Sequence, residues 1–343
     1  LNMIACLLAK GYGVPKTIAR VRNPEYAEDK HLINSNYLGI DLIINPEQVT
    51  AMEISELIDV PEAIDVEYYA DRKIQLLELR VNNNASIINK QLKDIRIPYR
   101  YIIASILRKE KMIIPRGNEV IKENDIIFIL AYTSEMIHIE KYLGKERTKI
   151  KNVMILGGGR IGYYLAQLLE KKKIGVKIIE KNLERCKEIA NNLNSTLVLH
   201  GDGTDIDLLK EEGAGQADAF ISLTEDDKLN LLVSLLTKHL GVKKSIAQIR
   251  RSDYMPLIER VGVDVAISPR ILTASAILKF IRKGHIISVS LLGRANAEII
   301  ELVVPDNVKI VNIFLKDLLF SATPIVTGYG SMLYIIPGFY MFM

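Results

Sequence analysis

The feature that most restricts what this chain can fold into is a long internal repeat. Residues 1–26 align without a gap on 229–254 at an offset of 228. They match at Leu1, Asn2, Leu7, Leu8, Lys10, Gly13, Val14, Lys16, Ile18, Ala19, Arg22 and Tyr26. Twelve identities in 26 positions are far above chance. After a five-residue insertion in the first copy, Gly39, Asp41, Ile44, Pro46, Thr50, Ala51 and Ile54 fall on Gly262, Asp264, Ile267, Pro269, Thr273, Ala274 and Ile277 at an offset of 223. The match continues weakly through Glu78-Leu79 on Glu301-Leu302 and Leu92-Lys93-Asp94 on Leu315-Lys316-Asp317, then disappears. Self-similarity on this scale predicts a repeated pair of domains.

A length of 343 residues fits two or three domains. The net charge of +4 is small and both signs are interspersed, so no basic stripe marks the chain for nucleic acid. Cys6 and Cys186 stand far apart, outside any disulfide or CxxC framework, which fits a reducing cytoplasm. The histidines (His31, His138, His200, His239, His285) are scattered without ligand-type spacing, and no structural metal is expected. No basic and apolar leader opens the chain, and Leu1 rather than Met stands first. The stretch from Leu318 to Met343 has no charge, but Pro324, Gly328, Gly330 and Pro337 interrupt it, so a soluble terminus is expected ahead of a membrane span. Both ends read as incomplete.

Between 151 and 268 apolar runs alternate with helical patterns. The runs are KNVMIL, VKIIE, TLVLH, ADAFISL, SIAQIR and DVAIS; Ile161, Leu165, Leu168 and Leu169 exemplify the helical spacing. That alternation predicts a parallel sheet. Arg270–Lys283 then reads as a long amphipathic helix, mirrored by Glu47–Asp59, of the kind that bridges to a partner or the next domain. The segment from Ile64 to Leu143 shows short strands (QLLELRV, YIIASILR, KMIIP, DIIFILA) around one or two helices, a small α+β module.

Gly157-Gly158-Gly159-Arg160-Ile161-Gly162 follows the first of these runs and opens a helix, the context in which GxGxxG signals a dinucleotide-binding Rossmann unit. Gly157 permits the tight turn, Gly159 the approach of backbone to phosphate, and Gly162 close helix–strand packing, while the helix N-terminus attracts negative charge. Glu180 ends the next strand 18 residues after Gly162, where a carboxylate accepts both ribose hydroxyls and repels a 2′-phosphate, favouring NAD over NADP. An ordinary solvated strand-end Glu is the bland alternative. Asp202 and Gly203 follow the third strand and face either the base or only an Asp-Gly turn. Thr224-Glu225-Asp226-Asp227 after the fourth strand suits a ligand or a helix N-cap equally.

The GGGRIG loop, Glu180, HGDGTD, SLTEDDKLN, AQIRR and DVAISP resemble the nucleotide-binding domain of the regulators of potassium transport, the family of the TrkA subunits. Ile64–Leu143, with its IIPRGNEVIKENDIIFIL ending, is similar to the family's TrkA-C domain. The resemblance implies an α/β fold with a Rossmann-type doubly wound parallel sheet, repeated, each copy followed by a small α+β TrkA-C domain. The expected divisions are 1–60, a truncated first nucleotide domain; 61–147, the first TrkA-C domain; 148–283, the complete second nucleotide domain; and 284–343, a clipped second TrkA-C domain. It further implies that Gly157, Gly159, Arg160, Ile161 and Gly162 surround the phosphates of NAD(H) or ATP/ADP, Glu180 the ribose, and Asp202, Gly203 and Thr224 the adenosine side, with Arg160 reaching a neighbouring subunit's ligand. A cytoplasmic, homo-oligomeric, ring-like regulator without catalysis follows, held at the membrane by a Trk-type potassium transporter. An NAD-dependent oxidoreductase is the alternative. It lacks a visible His, Lys or Tyr acid/base constellation.

Overall fold

The computed structural model describes residues 1–23, 39–109, 111–145, 148–281, 286–292, 297–303, 325–329 and 332–336. Tyr26, His31, His285 and 315–317 of the sequence reading lie outside them. In chain order, helix α1 (Asn2–Gly11) leads to the parallel strand pair β1 (Ile18–Arg20) and β2 (Leu42–Ile44), then to α2 (Pro46–Asp59). Asn45 caps α2, its side-chain oxygen accepting from the amides of Glu47 and Gln48, and Pro46 fits the first turn because no amide is needed there.

An antiparallel sheet follows: β3 (Asp65–Tyr69), β4 (Ile74–Arg80), β5 (Tyr101–Arg108), β6 (Lys111–Ile113) and β7 (Ile126–Tyr132), in the order β3-β4-β7-β5-β6, before α3 (Thr133–Tyr142). Strand β3, with its DVEYY sequence, falls outside the apolar-run criterion because Asp65 and Glu67 interrupt it and only two of its five residues are buried. Tyr69, Leu76, Ala104, Phe128 and Leu130 form this sheet's buried cluster. Arg108 pairs with Asp125 at 2.8 Å and Glu119 at 2.9 Å, pinning the 119–125 turn to β5.

The doubly wound region then runs β8 (Asn152–Leu156), α4 (Arg160–Lys171), β9 (Gly175–Glu180), α5 (Leu183–Asn192), β10 (Leu197–His200), α6 (Ile206–Glu211), β11 (Ala219–Ser222), α7 (Asp227–Leu240), β12 (Lys244–Gln248), α8 (Met255–Arg260), β13 (Val265–Ile267) and α9 (Pro269–Ile281). Its six strands are all parallel in the order β10-β9-β8-β11-β12-β13. The order reverses at β8, so chain connections leave that strand in opposite directions and open a crevice at its carboxyl end. One face of the sheet buries Met154, Leu156 and Phe220 with Leu209 and Val233. Leu165, Ala166 and Leu169 of α4 are also fully buried. Strands β14 (Ile286–Leu292), β15 (Ala297–Val303), β16 (Ile325–Tyr329) and β17 (Met332–Ile336) make a four-stranded antiparallel sheet. No helix among the described residues is long and apolar enough to cross a membrane.

The chain separates into two compact units, 1–61 with 149–274 and 62–148 with 275–343. Within the first, the two segments that align in sequence carry the same hydrogen bonds. Lys10 Nζ reaches Asp41 at 2.8 Å and the Pro15 carbonyl at 2.8 Å; Lys238 Nζ reaches Asp264 at 3.0 Å and the Lys243 carbonyl at 3.0 Å. The Thr17 amide donates to Asp41 at 2.6 Å and the Ser245 amide to Asp264 at 2.7 Å. Thr50 and Thr273 each donate to the carbonyl four residues earlier, at 2.8 and 2.6 Å. Helix α2 packs against α4 in this unit. Its last turn has no basic residue of its own, and Lys172, at the end of α4, supplies one, reaching the Ser55 carbonyl at 2.8 Å and Asp59 at 2.7 Å. Lys244 Nζ, buried, reaches the Leu57 and Val60 carbonyls at 3.3 and 3.5 Å. Cations at these carbonyls oppose the negative end of the α2 dipole.

Glu170 of α4 closes the turn before β10, accepting from the amides of Asn194, Ser195 and Thr196 at 3.0, 2.7 and 2.8 Å and from the Thr196 hydroxyl at 2.8 Å. Partial burial pushes its carboxyl up, but these bonds outweigh burial and lower it from 4.5 to about 2. Because the folded value is depressed, its contribution is complete above the unfolded value and is lost as pH falls toward 2. Glu170→Gln is expected to lower stability by about 1–2 kcal/mol at neutral pH. Denaturant titrations of both proteins should show that difference shrinking below about pH 5. A gap that stays constant with pH contradicts the role of the charge.

Candidate functional site

Strand β8 ends at Leu156, and the chain must turn within three residues into α4. Gly157 makes the turn at φ +104, a left-handed conformation closed to most side chains. A Cβ there would also stand 3.1 Å from the Leu223 carbonyl group and 3.2 Å from the Thr224 nitrogen, so the loop lies backbone to backbone against the end of β11. At Gly162 a Cβ would stand 2.2 Å from the Gly157 oxygen, so only glycine lets the first turn of α4 cross the loop. Gly159 is different. It is the N-cap of α4, and nothing lies within 4 Å of where its Cβ would be. The loop is therefore closed behind and open in front, where the free amides of the first helical turn attract an anion.

Glu180 ends β9, level with His200 of β10. One carboxylate oxygen accepts the Gly158 amide at 2.7 Å and the other the Asn182 amide at 2.8 Å. Each oxygen has a second lone-pair direction, so the group retains acceptor capacity for a diol. The carboxylate thus belongs to the glycine loop itself, which the spacing argument does not reveal. Arg185, on the first turn of α5, donates from Nε to the Gly158 carbonyl at 2.7 Å and pairs with Glu188 at 2.7 Å. Sequence reasoning passes over Arg185. Its signal is slight, an Arg five residues beyond the strand-end acid.

Asp202 pairs with Lys181 at 2.7 Å and accepts the Thr204 amide and hydroxyl at 3.0 and 2.8 Å. The Lys181 hydrogen bond, with those from Thr204, holds its carboxyl well below the usual range. These bonds account for Asp202 as part of the Asp-Gly turn. Gly203 lies against β8, where a Cβ would meet Leu156 Cδ1 at 2.2 Å. Thr224 stands on the other flank of the loop, after β11, and Asp226 N-caps α7 by accepting from the amides of Lys228 and Leu229 at 2.8 and 3.3 Å. Arg160 is exposed at the first position of α4, with no ion pair among the described residues, and Ile161 is half-buried beside it. Gly157, Gly159, Arg160, Gly162, Glu180, Gly203 and Thr224 thus gather around one crevice at the switch point. No His/Cys/Asp/Glu cluster suited to a metal occurs among the described residues.

The described geometry agrees with what the chain resembles. Residues 153–269 match the TrkA-N domain model and 76–144 the TrkA-C domain model. The chain is 37% identical over 335 residues to the Trk system potassium uptake protein TrkA homolog 2 of Methanosarcina mazei, covering 95% of this chain and 75% of that protein. It is 36% identical over 318 residues to the TrkA homolog of Archaeoglobus fulgidus (93% and 72% covered) and 35% over 307 residues to TrkA of Vibrio alginolyticus (88% and 67% covered). Among solved structures, the GsuK channel aligns at TM-score 0.59 and 19% identity over 89% of this chain and 53% of that one, a likeness of fold. Strand order, glycine loop and the level of identity to proteins matched over most of their length lead to one conclusion: this chain belongs to the TrkA family of Trk system potassium uptake proteins.

Proposed function

We propose that this chain is a nucleotide-sensing regulatory subunit that binds NAD(H), or ATP/ADP at the same loop, and sets the activity of a membrane potassium uptake transporter without catalysing a reaction. It works on the cytoplasmic face of the membrane, held there by its transporter partner. The observation that carries this reading is the loop that is sealed behind by Gly157 and Gly162, open in front at Gly159, and flanked by the Glu180 carboxylate. The names of its relatives support the potassium uptake partner, and a GsuK channel of the same fold has been solved bound to NAD. The paired Lys-Asp-Thr/Ser networks support a truncated, related nucleotide-type domain in residues 1–60 beside the complete one in 148–283, with 61–147 the companion module of the first and 284–343 that of the second.

Thermal shift against NAD, NADH, NADP, ATP and ADP tests the reading, since a ligand at a hundredfold over its Kd adds about 2.7 kcal/mol. The two glycines separate binding from folding. Gly159→Val points into open space and is expected to leave the unfolding midpoint nearly unchanged while abolishing nucleotide binding. Gly162→Ala must displace the Gly157 oxygen and is expected to destabilise by about 1–3 kcal/mol. Full affinity in Gly159→Val removes the loop from the site.

Glu180→Ala should narrow the preference for NAD over NADP by about 1–3 kcal/mol, read by competition binding. Equal affinity of the unaltered protein for the two dinucleotides defeats this role.

Arg160 adds a cation where the helix dipole already favours an anion, so its second task is to reach a ligand held by a neighbouring subunit of a homo-oligomeric ring. In Arg160→Gln, binding should fall modestly and nucleotide-dependent potassium uptake should be lost. Proportional loss of both leaves Arg160 a ligand contact only.

A further inference from the structure

Thr224 sits where its amide and hydroxyl would be expected to face a ligand, but both are already taken. The Thr224 amide donates to Asn230 Oδ1 at 2.9 Å and its hydroxyl to the same oxygen at 2.7 Å. Asn230 Nδ2 donates to the Thr224 carbonyl at 3.0 Å and to the Gln248 carbonyl at 2.9 Å. Gln248 Nε2 adds a second bond to the Thr224 carbonyl at 3.2 Å. Asn230 is fully buried, and all of its side-chain hydrogen-bonding groups are used.

This clamp lies directly behind the phosphate loop. The peptide it grips is the one that Gly157 touches, so any shift of Thr224 moves the wall against which Gly157 turns. From the other side the Gly157 amide is fixed to the Ile179 carbonyl at 2.9 Å. The loop is therefore wedged between the ends of β9 and β11, and on the β11 side its wall is held by the Asn230 side chain. Asp227, three residues before Asn230, accepts the amides of Arg250 and Arg251 at 2.9 and 3.1 Å, so the first turn of α7 also fixes the chain leaving β12. The contact to the neighbouring strand end recurs at the matching position of the first copy, where Asn2 Nδ2 donates to the Arg20 carbonyl at 2.8 Å.

We propose that Asn230 is a positioning residue for nucleotide binding: a buried amide that holds the Thr224 peptide against Gly157 and so presets the phosphate loop, while Thr224 acts through its backbone and contributes no side-chain contact to the ligand. The proposal rests on the nucleotide-binding reading above. Its physical basis is preorganisation, in which a loop already held in its bound shape loses less freedom on binding. Only a carboxamide supplies one acceptor and two donors in this planar arrangement, and Gln would carry it one methylene farther from the helix. Asp keeps the acceptor but turns a carboxylate toward two carbonyl oxygens, and Ala removes everything.

The test is NADH affinity by fluorescence titration, set beside the ligand-free unfolding midpoint. Ser234 provides the control: it lies on the same helix, is equally buried, and bonds Ser222 of β11 at 2.9 Å, but does not touch the Thr224 turn. Asn230→Ala and Asn230→Asp are expected to weaken NADH binding by at least about tenfold at a temperature where both remain folded. Ser234→Ala should lower the midpoint yet bind NADH within about twofold of the unaltered protein. Gln248→Met, which removes the second donor to Thr224 while leaving Asn230 intact, should produce a smaller loss and serves as the reading if both Asn230 variants fail to fold. Unchanged affinity in the Asn230 variants, or in Gln248→Met where it stands in for them, overturns the proposal. So does an equal loss in Ser234→Ala, which would show general loosening. If the unaltered protein binds none of NADH, ATP or ADP, the nucleotide-binding reading itself falls, a result distinct from unchanged affinity in the variants.

Discussion

The fold of the nucleotide domain depends on a close backbone crossing that no side chain can share. Gly162 passes over the Gly157 oxygen at a distance that excludes even a methyl group, and Gly157 presses on the Leu223–Thr224 peptide. These two contacts set where α4 begins relative to β8 and β11. Everything else at the crevice follows from that start: the direction of the helix dipole, the opening at Gly159, and the exposure of Arg160. A single added carbon at position 162 acts on all of them together, whereas one at 159 acts on none of the protein's own packing. The same residue type therefore does two opposite jobs within one short loop.

Charge of both signs stands around this crossing. The positive pole is the start of α4, reinforced by Arg160, and the negative pole is Glu180 at the end of β9. On the nucleotide-binding reading proposed above, a ligand that presents phosphate together with a neighbouring pair of hydroxyls would meet both poles favourably. The two oxygens of Glu180 accept the Gly158 and Asn182 amides, so its side chain is built into the loop.

Much of this was legible in the sequence because the relevant signals are local. The six parallel strands coincide with the six apolar runs, and the helix after DVAIS, expected from Arg270, starts one residue earlier at Pro269. Glycine spacing marks the loop because each glycine answers to a backbone contact. The features that escaped notice are those made by distant residues. Arg185 and Asn230 have no periodicity that distinguishes them from ordinary helix positions, and their partners, Gly158 and Thr224, become neighbours only when strands are ordered in the sheet. Strand β3 was missed for another reason: its core-facing positions are few and its polar residues many. The separation of Thr224 from Asp202 and Gly203 to opposite flanks of the loop is likewise a consequence of sheet order, which sequence order conceals.

Helix α4 joins the glycine loop to the α2 segment within one compact unit. Its N-terminus forms the anion site, and the residue that ends it, Lys172, caps the carbonyls of α2. Helix α4 is buried along Leu165, Ala166 and Leu169, so close packing holds it against the core. At its Lys172 end, α2 is held by two lysines and by the packing of Ile54 and Leu57. Capping by Lys172 is a rim interaction of modest strength, since its ion pair with Asp59 is partly exposed. Lys244 is different: it is buried, and its ammonium meets the Leu57 and Val60 carbonyls in the interior of the same compact unit, where a cation needs partners. The carbonyl end of α2 is thus met by one cation at the rim and one in the core, both opposing the negative end of its dipole.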